Sequence, residues 1–104
     1  MRSIMEVVVE TYRLPGDPPS ANLRARPVRG QGIDPATPVE CSRSLRNRYP
    51  PGTLFTLPCR QEVRDGKMVL HAKSIAGFKL LTPEQAARWT EAADANTWQW
   101  RLIV

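Results

Sequence analysis

A chain of 104 residues has room for one domain and one hydrophobic core. Its 41% hydrophobic and 24% charged residues are ordinary for a globular protein, and no apolar run approaches the roughly 18 residues a membrane helix needs. The net charge of +5, carried by 12 arginines and 3 lysines, favours anionic partners over basic ones.

The remaining bulk features narrow the setting. Glu6 sits where a secretory leader needs its apolar centre, so a cytoplasmic protein is expected. In a reducing compartment Cys41 and Cys59 are not expected to pair. With His71 they are too few for a four-ligand metal site. Neither a metal nor a cofactor is expected, and the cysteines read as small buried apolar residues. The charge is concentrated: residues 1–22 balance at −1 and residues 61–104 at +1, whereas residues 23–60 balance at +5. Arginine presents a planar fork of donors suited to phosphate and carboxylate.

Met5-Glu6-Val7-Val8-Val9-Glu10-Thr11-Tyr12 predicts a first strand, with Met5, Val7, Val9 and Thr11 on one face and Glu6, Val8, Glu10 and Tyr12 on the other. Pro15-Gly16-Asp17-Pro18-Pro19-Ser20 is a loop. Leu23 to Arg29 alternates small apolar residues with arginine and predicts a second strand, placed at a sheet edge because Pro27 lacks an N–H. Gly30-Gln31-Gly32 reads as a turn. Thr37-Pro38-Val39-Glu40 carries helix-start chemistry, with Thr37 as cap, Pro38 first and Glu40 third. That helix is expected to reach Arg48, with Cys41, Leu45 and Arg48 on one face and Arg43, Arg46 and Asn47 opposite.

Asp65-Gly66 between alternating segments is a strong hairpin signal. With those two residues as the turn, Arg64 faces Lys67, Val63 Met68, Gln61 Leu70, Cys59 Ala72 and Leu57 Ser74. On the other face Glu62 meets Val69, Arg60 His71, Pro58 Lys73 and Thr56 Ile75. Thr82-Pro83-Glu84-Gln85 predicts a second helix from Pro83 to about Asp94, burying Ala86, Trp89 and Ala93. Trp98, Trp100, Leu102 and Val104 alternate along a final strand expected to be tied into the sheet. The order ββαββαβ makes a single α+β domain over residues 1–104, a small curled antiparallel sheet or open barrel of about five strands with two short helices.

No catalytic set emerges. Nucleophilic catalysis needs a nucleophile, a base and an orienting group, and the hairpin register puts Cys59 and His71 on opposite faces. Glu6 and Glu10 are about 13–14 Å apart along their strand, too far for paired carboxylate chemistry. The basic residues remain. Arg24, Arg26 and Arg29 from strand two, Arg43 and Arg46 from the first helix, and Arg60, His71 and Lys73 from the hairpin would bind phosphates if they converge. Tyr12 and Tyr49 are the aromatics left to stack bases. The sequence therefore points to a non-enzymatic binding module with an arginine-rich face for nucleic acid. The alternative is a protein-interaction module, an adaptor, inhibitor or subunit, with Trp98 and Trp100 offering an edge to a second copy.

Overall fold

In the computed structural model of the chain, the described residues are 4–72, 76–96 and 102–103, those from residue 91 onward as backbone only. Strand β1 (Ile4–Tyr12) lies inside the sheet. Met5, Val7, Val9 and Thr11 are buried on the face the alternation predicts, and Val8 is buried on the other. β2 (Arg24–Pro27) pairs antiparallel with the second half of β1, from Val9 with Pro27 to Tyr12 with Arg24, and forms one end of the sheet. It is shorter than the predicted span of residues 23–29.

The expected helix start at Thr37 does not form. The Asp34 carboxylate takes the Ala36 N–H and the Asp34 carbonyl takes the Thr37 N–H, closing a turn before Pro38. The Pro38 and Glu40 carbonyls then accept from Leu70 and Ala72. This backbone is committed to a strand, β3 (Val39–Glu40), and the β-branched Val39 fills the core. The helix, α1 (Arg43–Arg48), begins later, capped by Ser42, whose Oγ accepts the Leu45 N–H. Leu45 is buried as expected.

β4 (Leu54–Arg64) and β5 (Lys67–His71) form the predicted hairpin in the predicted register, from Arg64 with Lys67 to Arg60 with His71. Asp65 at φ 52° and Gly66 at φ 76° both take the left-handed conformation this turn needs. At its other end β4 leaves the hairpin and pairs with β6 (Lys79–Leu81), where Thr56 faces Lys79; residues 73–75, expected opposite Pro58, Leu57 and Thr56, lie outside the described residues. Gly77, at φ 86°, turns the chain there, and a Cβ on it would lie 3.0 Å from the Pro58 ring. The second helix, α2 (Pro83–Asn96), starts with the predicted reciprocal cap: Gln85 N–H to Thr82 Oγ1 at 3.2 Å and Thr82 N–H to Gln85 Oε1 at 2.8 Å. It packs on β4 and β6 and buries Ala86, while Trp89 is half-buried. β7 (Leu102–Ile103) pairs with Met5 and Ile4, tying the chain end to β1.

The sheet runs β2-β1-β4-β5-β3, with β6 against β4 and β7 against β1. It is mixed and not antiparallel throughout, because β3 runs parallel to β5. One face carries the main core: Met5, Val7, Val9, Ala25, Val39, Leu45, Phe55, Leu57, Cys59, Leu70 and Ala72. The sheet curls around this core until its ends, β2 and β3, come within 8 Å at Cα without pairing. The result is an α+β fold with an open, mixed sheet. No helix among the described residues is long and apolar enough to cross a membrane.

Gln31 completes the edge beside β1. The chain turns away after Val28, which leaves the Val8 N–H without its ladder partner. Gln31 is 2% exposed; its Oε1 accepts that N–H at 3.0 Å, and its Nε2 donates to the Val8 carbonyl at 2.7 Å and the Val28 carbonyl at 2.9 Å. A side-chain amide thus takes the place of a peptide group.

Candidate functional site

The opening between β2 and β3 is where the basic residues gather. Two surface grooves lie along it. One, of about 420 Å³, is lined by Tyr12, Arg24, Arg26, Arg46 and the 35–40 segment. The other, of about 440 Å³, is lined by Glu10, Arg26, Val28, Arg29, Pro35 and Ala36. Arg26, Pro35 and Ala36 border both, so the grooves adjoin. A peptide strand inserted here would need about 9.6 Å between β2 and β3, twice the ~4.8 Å strand spacing. The approach within 8 Å leaves no room for one.

Local chemistry sets each arginine differently. The strand pleat puts Arg24 and Arg26 on one face of β2, beside Tyr12 and Glu10 of β1. Arg26 donates from Nε to Glu10 at 2.8 Å, and its guanidinium lies 4.1 Å from the Tyr12 ring centroid. Arg24 meets Asp17 at 3.3 Å. Asp17 is held by residues 13–23, where Arg13 donates to the Pro18 and Ala21 carbonyls. The Leu14 N–H, then Arg24, hold the Asp17 carboxyl below its ordinary range. Arg29 and Arg46 have no ion pair among the described residues. Arg46, expected on the outer face of α1, is half-buried, and its Nε is enclosed without a hydrogen-bond partner among the described residues. Arg43 is exposed on α1 and borders neither groove.

The hairpin residues stand apart. Arg60 and His71 face each other on β4 and β5 and line neither groove. His71 Nδ1 lies 3.1 Å from Glu62, and Arg64 bonds both Glu62 and Glu40. Arg64, then His71, lower the Glu62 pKa, and the two glutamates raise that of Arg64. This is a mixed-charge surface. Tyr49, expected as a free stacking residue, packs against the core beside Phe78, 6.3 Å between ring centroids. Lys73, Trp98 and Trp100 lie outside the described residues.

Cys59 is buried in the core, and Cys41, half-buried, packs against it. Burial pushes the Cys59 thiol up to about 12, with Cys41 contributing, and burial also raises Cys41. Both are free thiols. Among the described residues no group of three or more His, Cys, Asp or Glu is placed to hold a metal.

Sequence reasoning missed three contributors to this region: Gln31, which anchors the turn after β2, and Asp17 and Glu10, which neutralise Arg24 and Arg26. The sequence shows Glu10 and Arg26 as strand residues but not the β1–β2 register that joins them. No protein-family model, curated protein or solved structure matches the chain.

Proposed function

We propose that the chain is a non-enzymatic binding module that takes single-stranded nucleic acid along the β2–β3 opening. The observation that carries this reading is the gathering of Arg24, Arg26, Arg29 and Arg46 around adjoining grooves whose acidic lining is Glu10 and Glu40. Arg29 and Arg46 supply charge without an ion pair among the described residues; Arg24 exchanges Asp17 for a phosphate. The pairing scheme supports the reading as an analogy. Except that β2 and β3 do not pair and β6 and β7 are additional, β1 between β2 and β4, β5 beside β4, β3 parallel to β5 and a helix between β3 and β4 follow the connectivity of the OB-fold. That partly open five-stranded barrel carries oligonucleotide and oligosaccharide sites on its second and third strands. A fold alone assigns no function, so the weight rests on the arginines.

The test is fluorescence anisotropy with a labelled single-stranded oligonucleotide over a salt series. Three phosphate contacts give a slope of log K against log salt near −2, about 15-fold weaker binding when salt rises fourfold. Absence of binding at low salt refutes the proposal. A second reading, a protein partner, draws on one observation: Val63 and Met68 face each other at the hairpin tip and are 70% and 43% exposed. Sedimentation of the chain, with and without Val63→Lys, tests whether that pair supports self-association.

A further inference from the structure

Arg26 differs from the other arginines of the grooves. Its Nε is taken by Glu10, its guanidinium carbon lies over the Tyr12 ring at 4.1 Å from the centroid, and its side chain is still 42% exposed. Glu10 offsets much of its charge, and a phosphate would have to compete with a charge-assisted hydrogen bond that is partly shielded from water. Arg26 is thus held at two points, by the Tyr12 ring and by Glu10, and keeps exposed surface. It sits where the two grooves adjoin, and Pro35 and Ala36 supply an apolar flank. Guanidinium planes stack on flat aromatic systems, nucleobases included.

We propose that Arg26, supported by Tyr12 and fixed by Glu10, is a stacking platform for one nucleobase, while Arg29 and Arg46 hold the phosphates on either side of it. The proposal rests on the nucleic-acid reading and divides its arginines into two roles. A base continues the column begun by the Tyr12 ring and the Arg26 plane. The adjoining phosphates reach Arg46 in one groove and Arg29 in the other.

The roles separate with two probes, a short oligothymidylate and an abasic oligonucleotide of equal length, which share phosphates and differ in bases. Arg26→Lys keeps the charge and loses the plane. It should weaken oligothymidylate binding about tenfold, the scale of one base-stacking contact. It should leave abasic binding within about twofold and the salt slope unchanged. Arg46→Gln should flatten the slope by about 0.7 on both probes. Arg26→Trp, which restores a flat face without the charge, should recover oligothymidylate binding, and it keeps the test open if the lysine variant does not fold. Equal losses on both probes would make Arg26 a phosphate contact and overturn the platform. So would no loss on either probe, or wild-type binding that ignores the bases; in all three cases the broader reading stands. If the wild type binds neither probe, the reading falls and the platform falls with it.

Discussion

Replacing Gln31 tests whether one side chain stands in for a missing strand segment. Gln31→Ala leaves the Val8 N–H and the Val28 carbonyl without the partners they have at 3.0 and 2.9 Å. An orphaned buried polar group costs about 1–3 kcal/mol. The Val8 carbonyl keeps the Val28 N–H, so two groups are affected and not three. The expected loss is about 3 kcal/mol, a fall in Tm of about 10–20 °C for a domain of this size, read by calorimetry or urea titration. Gln31→Glu sharpens the test. Its second oxygen would sit where Nε2 now faces two carbonyls, at 2.7 and 2.9 Å. Only the protonated acid can donate there, so the folded state raises the pKa of the new carboxyl above the ordinary ~4.3. Between those two values the fold holds a proton that the unfolded chain has released. Stability of this variant therefore falls as pH rises through that window and is flat above it. An alanine variant within about 0.5 kcal/mol of wild type, or a glutamate variant whose deficit ignores pH, would refute the assignment.

Other outcomes follow from the same geometry. Asp17→Asn frees Arg24 from an exposed ion pair and should strengthen oligonucleotide binding about two- to fivefold, measured by anisotropy; weaker binding would mean that Arg24 is not a phosphate contact. Gly66→Ala has open space around its Cβ but must hold φ 76°, so it should cost about 1–2 kcal/mol in chemical denaturation, with Gly66→D-Ala costing nothing. Cys59, with its thiol held near pKa 12, should resist alkylation at mildly alkaline pH in the native protein and react on unfolding, as followed by mass spectrometry. Glu62, whose folded pKa is lowered by Arg64 and His71, contributes stability above the ordinary carboxylate range that is lost as pH falls through the folded value. Glu62→Gln should therefore flatten the acid limb of the stability profile.

Where the sequence was informative, short-range chemistry decided the structure. The Asp65-Gly66 turn fixed five strand pairs because a two-residue loop leaves one register. Thr82 and Gln85 capped α2 by bonding each other's backbone N–H groups, a contact three residues apart in the sequence. The same signal at Thr37 failed because β5 offered the Pro38 and Glu40 carbonyls partners from a distant part of the chain. Pairing of β4 with β6 was illegible for the same reason: the hairpin register alone extends to Ile75, and the turn at Gly77 replaces it. For the site, alternation placed Arg24 and Arg26 on one face of their strand, and only the β1–β2 register brings Tyr12 beside them. It carried no information on which arginines meet acids, because Asp17 and Glu10 reach them through a loop and a neighbouring strand.

The most direct measurement is amide chemical-shift mapping of the isotopically labelled protein during titration with a short single-stranded oligonucleotide. Changes should cluster at Tyr12, Arg24 to Arg29, Ala36 to Val39 and Arg46, around the grooves, and leave the Arg64 to Lys67 turn still. Shifts centred on that turn, or spread evenly over the surface, would place the ligand elsewhere and contradict the account.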